Sequence, residues 1–101
     1  MVYVTASVQV KEGKLQGFIE LFHTVAVQVR QEKGCVQYVA GVDLDMGVPI
    51  QALDKNMVTI LEKWESLEAL QNHLSTPHML AYFEKEKEFT NGMTLKVFKE
   101  A

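Results

Sequence analysis

Cysteine is nearly absent from this sequence, which has one, Cys35, among 101 residues. A single cysteine makes no intramolecular disulfide and no Cys-x-x-Cys pair for metal or redox chemistry. No His or Asp lies near Cys35 in the sequence to activate its thiol as a nucleophile. We therefore interpret Cys35 as a small, buried apolar side chain.

Long apolar runs and basic clusters are also missing. The chain has 13 acidic and 10 basic residues, and its Lys and Arg residues are scattered. Nucleic acid is therefore not an expected partner, because its phosphates require a basic surface. No stretch approaches the roughly 20 apolar residues that span a bilayer, and the start, MVYVTASVQV, lacks the features of a signal peptide. We expect a cytoplasmic protein with no membrane partner.

Proline and glycine are scarce, with two and six residues respectively, and no segment has the composition of a linker or a disordered tail. A length of 101 residues suits one hydrophobic core rather than two. The sequence therefore predicts a single domain over residues 1–101.

Hydrophobic periodicity predicts the elements of this domain. Apolar and polar residues alternate from Val2 to Val10, as in a half-buried strand. From Lys14 the apolar residues recur at helical spacing, and Gly34 suits the helix end. The segments CVQYVAGVD, MVTILEKWE and MTLKVFK predict three further strands. Between the second and third strands, residues 44–56 form a loop long enough to be a flap or an extended arm.

The second helical region contains a predicted break. Ser66 is a suitable N-cap for a short helix, and Thr76 followed by Pro77 is typical of the start of another. The first of these helices carries Leu67, Leu70 and Leu74, and the second is expected to bring Met79, Leu80 and Phe83 inward.

The resulting order, βαββαβ, is that of the ferredoxin-like fold, an α+β architecture. It predicts an antiparallel sheet of four strands with the helices on one face, because right-handed crossovers return each helix to the same side. Strands two to four carry apolar residues on both faces, and a large exposed apolar face is unusual on a monomer. We therefore predict a homodimer that packs sheet face against sheet face.

His73 and His78 lie on either side of the predicted helix break. Their spacing differs from the His-x-x-x-His pattern that places two imidazoles on one helical face to bind a metal ion. The sequence also has no GxGxxG or P-loop motif and no spaced set of Cys and His ligands. We expect neither a metal ion nor another cofactor.

The segments EKGCVQYVAGVD and VTILEKWESLEALQNHLSTPHMLAY resemble the antibiotic biosynthesis monooxygenase family, especially its quinol monooxygenase members. The resemblance covers nearly the whole chain and implies a dimeric α+β barrel. It also implies that dioxygen oxidises a quinol or related phenolic compound with no flavin, haem or metal bound. Haem-degrading relatives need an Asn, a Trp and an axial His where this chain has Ser7, Trp64 and Tyr82. Only the Trp is present, so haem degradation is not expected.

The implied chemistry requires a base, since a phenol gives electrons to dioxygen far more readily as its anion. His78 and His73 are the candidate catalytic residues. The start of a helix favours neutral imidazole at His78, our first choice, whereas the end of a helix favours imidazolium at His73. Either ring could instead satisfy backbone groups at the helix break. His23, at the edge of the first helix's apolar stripe, is interpreted as a boundary residue.

Four aromatic residues are candidates for substrate binding: Trp64, Tyr38, Tyr82 and Phe83. Aromatic rings can stack on a planar substrate, and tyrosine hydroxyls can bond to its oxygens. Trp64 is equally suited to core packing. Two alternatives to the monooxygenase stay open: a cofactor-free isomerase of a small metabolite, and a non-catalytic module that binds an aromatic ligand.

Overall fold

The structure is a computed structural model that describes residues 1–101. Its four strands form one antiparallel sheet in the order β2-β3-β1-β4. The predicted βαββαβ order and the ferredoxin-like α+β fold are confirmed, with the second helical region divided in two. The elements are β1 (Val2–Val10), α1 (Leu15–Val29), β2 (Cys35–Val42), β3 (Met57–Trp64), α2 (Leu67–His73), α3 (Pro77–Glu86) and β4 (Thr90–Lys99).

One face of the sheet packs against the helices and forms the core. The alternation predicted for β1 is confirmed, since every second residue from Val4 to Val10 is buried. The inward stripe of α1 is also confirmed, and its buried residues are Phe18, Phe22, Val25, Ala26 and Val29. Burying a side chain the size of Val or Phe stabilises a fold by about 1.5–3 kcal/mol. This stripe therefore holds α1 firmly on the sheet.

The turn between α1 and β2 lies tightly against α2. The helix ends at Val29, earlier than the glycine signal suggested. Gly34 has a φ of +87°, and a Cβ at this position would lie 2.6 Å from the Cβ of Ala69. The amide of Glu65 donates a hydrogen bond of 2.8 Å to the carbonyl of Gly34. Glycine thus permits both the turn conformation and the close approach to α2.

The predicted break between α2 and α3 is present, with both predicted caps. The side chain of Ser66 accepts a hydrogen bond from the amide of Ala69, and that of Thr76 accepts one from the amide of Met79. The Thr76 hydroxyl also donates to the carbonyl of His73 at 3.0 Å. The threonine therefore ties the start of α3 to the end of α2.

In α2 and α3, the residues that face inward differ in part from the predicted ones. Met79 is buried as predicted, and Leu70 is buried in α2. Leu80, however, is 55% exposed, so that prediction is wrong, and Leu67 is 53% exposed. Tyr82 takes the inward position in α3, because it lies nearly one helical turn after Met79 and shares its face.

The edge strand β4 is poorly covered by the helices. Its register with β1 places Met93, Leu95 and Val97 on the helix side of the sheet, yet each is nearly half exposed. On the opposite face Leu61 and Phe98 are about 40% exposed. Apolar side chains therefore reach solvent on both faces of the sheet.

The long loop at residues 44–56 is held together by its own hydrogen bonds. The Gln51 side chain donates to the carbonyl of Leu44, and Asp43 accepts from the amide of Asp54 at 2.7 Å. Ile50, near its tip, is 97% exposed. No residue of this loop lines the cavity described below. None of the three helices is both long enough and apolar enough to cross a membrane.

Candidate functional site

A small cavity of about 60 Å³ lies between the sheet and helices α2 and α3. Its apolar wall is interrupted by five polar side chains. Tyr38 comes from β2, Glu62 from β3, His73 from the end of α2, and Tyr82 and Glu86 from α3. The cavity thus combines an apolar wall with several groups that can exchange protons or hydrogen bonds, as ligand sites do.

The rim of the cavity lies beside the edge strand. Met93 and Leu95 line it from β4 while remaining nearly half exposed. Leu74 is 40% exposed and lines the same rim with the half-buried Phe83. A ligand would enter past these four apolar side chains.

His73 is the imidazole that faces this cavity. It is 2% exposed, and its Nδ1 lies 2.9 Å and 3.1 Å from the two carboxylate oxygens of Glu32. Burial lowers the pKa of His73, and Glu32 opposes that effect only in part. The prediction that His73 tends toward imidazolium is therefore wrong, because loss of hydration outweighs the field at the helix end.

His78 shares the carboxylate with His73 but not the cavity. Its Nε2 lies 2.7 Å from Oε2 of Glu32. Its ring lines an open groove between α1 and α3, together with Val25 and Lys85. The two histidines of the helix break are thus joined through one carboxylate and face opposite sides of it.

Glu32 is the residue that the sequence did not reveal. It lies in the turn after α1, and the EKG segment was interpreted only as a helix end. No spacing signal links this position to histidines 41 and 46 residues further along the chain. The close approach of the turn to α2 at Gly34 brings them together.

Trp64 lies behind the cavity wall rather than on it. It is fully buried, and its Nε1 donates a hydrogen bond of 2.9 Å to Oε1 of Glu62. Its ring centroid lies 4.5 Å from that of His73. Trp64 therefore supports two of the polar residues that do line the cavity.

Tyr38 and Tyr82 supply the cavity's hydroxyl groups. The Tyr38 ring stacks on Phe22, with centroids 5.2 Å apart, and lies 5.6 Å from the ring of His73. The hydroxyl of Tyr82 is buried and makes no hydrogen bond of good geometry, although it interacts with the side chain of Glu86. A buried hydroxyl with no well-formed hydrogen bond costs up to about 3 kcal/mol, so this group can gain by bonding to a ligand.

Every ionisable group in the cavity is biased toward its neutral form. Burial raises the pKa of Glu62 and of Glu86, so both carboxyls hold a proton to higher pH than usual. Burial and the neighbouring carboxyl groups raise the pKa of Tyr38 and of Tyr82, which keeps both phenols protonated. The site thus combines an imidazole whose pKa is lowered by burial with carboxyl and phenol groups whose pKa is raised by burial.

Neither Cys35 nor His23 belongs to this site. Burial, followed by the charge of Glu32, raises the pKa of the half-buried Cys35 thiol and disfavours the nucleophilic thiolate. His23 is exposed on α1, in line with a boundary residue. No three His, Cys, Asp or Glu side chains are arranged to hold a metal ion.

The ferredoxin-like sheet with a partly polar cavity under its helices places this chain among small α+β proteins with a candidate ligand site. Residues 1–85 match the family described as antibiotic biosynthesis monooxygenase, and the chain belongs to this family. The family resemblance of the sequence is thereby confirmed.

Individual relatives agree with this assignment. The chain is 32% identical over 99 residues to the Escherichia coli (strain K12) protein named "Probable quinol monooxygenase YgiN", covering 96% of this chain and 95% of that protein. A conserved protein from Methanosarcina mazei Go1 has the same fold, with a TM-score of 0.86 at 23% identity over 99% of this chain and 92% of that one. Rv0793 from Mycobacterium tuberculosis has a TM-score of 0.83 at 21% identity over 99% and 94% of the two chains. The family and the E. coli relative support a monooxygenase-type function.

Proposed function

We propose that this protein is a cofactor-independent monooxygenase that oxidises a quinol or a related phenolic compound with dioxygen. Family membership and the relative named as a quinol monooxygenase support the reaction type. The observation that carries the proposal is the presence in one cavity of the buried imidazole of His73 and the hydroxyls of Tyr38 and Tyr82. This arrangement suits a planar ligand with oxygen substituents.

His73 is the proposed base. Glu32 occupies its Nδ1, which leaves Nε2 to accept the phenolic proton of a substrate in the cavity. The burial that lowers the pKa of His73 favours its unprotonated imidazole, the form that can accept a proton. His78, the first choice from the sequence, lines the outer groove, and we assign it no contact with the substrate.

The phenolate then reduces dioxygen directly. One oxygen atom bonds to a ring carbon and becomes the hydroxyl oxygen of the product, while the two original quinol oxygens become carbonyls and the other oxygen atom leaves as water with the two hydrogens that the substrate loses. A quinol thus becomes a hydroxyquinone, and the balance needs no further reductant. Glu62 and Glu86 are the proposed proton donors to the reduced oxygen, because both line the cavity and burial raises the pKa of each carboxyl.

The aromatic residues have different proposed roles in binding. Tyr38 and Tyr82 donate hydrogen bonds to the substrate oxygens, and Phe83 packs against its ring at the rim. Trp64 acts indirectly by holding the carboxyl of Glu62. The carboxyl of Glu62 then keeps one orientation toward the cavity.

Cavity size limits the substrate. The volume is about 60 Å³, whereas an engineered cavity of about 150 Å³ in another protein binds benzene. Entry of even one ring therefore requires the rim to move, and the flexible, half-exposed side chain of Met93 is the proposed moving part. We expect single-ring substrates to be preferred over fused rings.

The active form is proposed to be a homodimer that joins through sheet faces into an α+β barrel. Val39, Leu61 and Phe98 are each about 40% exposed on the sheet face opposite the helices. Covering them would remove apolar surface from water. Sedimentation of the purified protein at micromolar concentration should show a dimer, and a monomer there would reject this part of the proposal.

Oxygen consumption provides the direct test of the reaction. Purified protein that has been treated with a chelator is mixed with a single-ring hydroquinone. The uptake of dioxygen and the formation of the hydroxyquinone product are measured in the same reaction. His73→Ala should lower kcat by about 10²- to 10⁴-fold, the usual contribution of a positioned base. His23→Ala, the matched change at an exposed histidine, should leave kcat unchanged.

The same assay separates the competing functions. Product that forms equally fast without dioxygen would indicate an isomerase and reject the monooxygenase. Saturable binding of a hydroquinone with no turnover in air would indicate a non-catalytic binding module. Full activity in His73→Ala would remove His73 from the mechanism.

A further inference from the structure

We propose that Glu32 is the positioning residue of this site: it holds His73 in the tautomer whose unprotonated nitrogen faces the cavity, while His78 anchors Glu32 from the groove side. The catalytic consequence rests on the proposed function above, but the tautomer itself is a property of the protein without substrate. The proposal depends on the juxtaposition of these three side chains at the break between α2 and α3.

The number of hydrogen bonds that each group can donate or accept fixes which imidazole nitrogens carry protons. Oε2 of Glu32 lies 2.9 Å from Nδ1 of His73 and 2.7 Å from Nε2 of His78. An ionised carboxylate only accepts hydrogen bonds, so both of these nitrogens must donate. A neutral imidazole has one N–H, so in the neutral form of His73 this hydrogen lies on Nδ1 and Nε2 is unprotonated. This is the nitrogen that remains for a ligand in the cavity that His73 lines.

The backbone around Glu32 is well fixed, as a positioning residue requires. Its amide donates to the carbonyl of Val29 at 3.0 Å, and its carbonyl accepts from the amide of Cys35 at 3.2 Å. The adjoining turn is held at Gly34 against Ala69. Glu32 can thus direct its carboxylate at α2 and α3 with little conformational freedom.

The carboxylate also serves His73 after proton transfer. Imidazolium on a buried histidine is unfavourable unless an opposite charge lies beside it. Glu32 supplies that charge in direct contact with Nδ1. The other titratable groups that face His73 or share its cavity are His78, Tyr38, Glu62, Tyr82 and Glu86. Among all these neighbours only Glu32 has both the contact and the charge to stabilise the protonated ring.

His78 completes the arrangement from outside. It lines the groove between α1 and α3, where solvent can reach it, and its side chain is 17% exposed. Its hydrogen bond occupies the second acceptor direction of Oε2 and so restricts rotation of the carboxylate. We infer that this histidine positions Glu32 rather than acting as a base.

The tautomer of His73 can be measured by ¹⁵N NMR of the histidine-labelled protein without any substrate. The wild type should show a protonated Nδ1 and an unprotonated Nε2 on His73. Glu32→Met removes both the acceptor and the charge at similar side-chain length, and the Nε2–H form should then become populated. Glu20→Gln, at an exposed position of α1, serves as the control and should leave the spectrum of His73 unchanged.

The pH profile distinguishes positioning from a merely structural role. Glu32 raises the pKa of His73 against the effect of burial. Glu32→Gln keeps an acceptor oxygen but not the charge, so the acid limb of kcat/KM should move to lower pH. In Glu32→Met, kcat should fall by about 10²- to 10⁴-fold with little change in KM, because Glu32 does not line the cavity.

Several results would overturn the assignment. A wild-type His73 protonated at Nε2 would do so directly, as would an unchanged tautomer in folded Glu32→Met. Stoichiometric Zn²⁺ binding that shifts the signals of His73 and His78 together would show that the three side chains are metal ligands instead. If the wild type oxidises no quinol, the proposed function fails, while the NMR result still decides the role of Glu32.

Discussion

Oε2 of Glu32 lies 2.9 Å from Nδ1 of His73, although the two residues are 41 positions apart in the chain. This contact gives the cavity a histidine with one nitrogen engaged and the other free. It also explains why two histidines with no metal-binding spacing lie at one helix break. They share a carboxylate that comes from the other half of the fold.

Glu62 should make stability depend on pH. Burial raises its pKa, so the native state retains the proton longer than the unfolded chain does. The stability associated with the protonated form is fully present below the unfolded pKa of about 4.3 and is lost as pH rises through the folded pKa. Glu62→Gln keeps an acceptor for the Trp64 indole and removes the ionisation.

Chemical denaturation of this variant at several pH values provides the measurement. Glu62→Gln should unfold with a higher free energy than wild type at pH 8, by roughly 1.4 kcal/mol for each unit by which the pKa is raised. The difference should vanish below about pH 4. A constant difference across the whole pH range would contradict a shifted carboxyl.

Gly34→Ala should destabilise the protein through two separate effects. The positive φ of +87° is unfavourable for alanine, and the new Cβ would lie 2.6 Å from that of Ala69. Gly47→Ala is the matched control, because its φ is +85° and nothing lies within 4 Å of the added Cβ. The control should cost about 1 kcal/mol and Gly34→Ala about 2–4 kcal/mol, since overpacking alone costs about 1–3 kcal/mol. Thermal and denaturant unfolding of both variants would check this difference, and equal losses would mean that α2 simply moves aside.

Tyr82→Phe should stabilise the fold while weakening substrate binding. The Tyr82 hydroxyl is buried and interacts with Glu86 without a well-formed hydrogen bond, so its removal relieves part of a desolvation cost of about 1–3 kcal/mol. The proposed hydrogen bond to the substrate is lost at the same time, which should raise KM for a hydroquinone. Denaturant unfolding and oxygen-uptake kinetics on the same preparation measure the two effects. Loss of stability would contradict this prediction and indicate that the hydroxyl makes a full hydrogen bond with Glu86.

Met93 should control the size of ring that enters. It lines the cavity and is 49% exposed, so its side chain can be exchanged with little effect on folding. Met93→Ala should widen the rim and lower KM for fused-ring quinols relative to single-ring quinols. Val97→Ala, a half-exposed position on the same strand that does not line the cavity, should leave that ratio unchanged. An unchanged ratio in Met93→Ala would place the entrance elsewhere.

Local signals in the sequence accounted for most of the fold. The alternation of β1, the stripe of α1 and the caps at Ser66 and Thr76 each depend on residues within a few positions of one another. Leu80 was predicted to be inward from its apolar character alone, whereas Tyr82 holds that position. In a helix of ten residues, apolar character alone did not reveal which face would meet the sheet.

The candidate site was only partly accessible to the same reasoning. His73, Tyr38, Tyr82 and Phe83 were identified by residue type, and the structure brings them to one cavity. Their residue types could not show that His78 faces a separate groove or that Trp64 lies behind the wall. Whether a side chain lines the cavity or lies behind its wall depends on how whole helices and strands pack against one another.

The sequence by itself determined the elements, their order and the separation of the two histidines by a helix break, because periodicity and capping are properties of neighbouring residues. Only the tertiary structure decided which histidine faces the cavity and which carboxylate holds it. Glu32 reaches His73 because the turn at Gly34 packs against α2. Burial there also reverses the protonation expected from the helix end, since the loss of hydration on folding exceeds the field of a short helix.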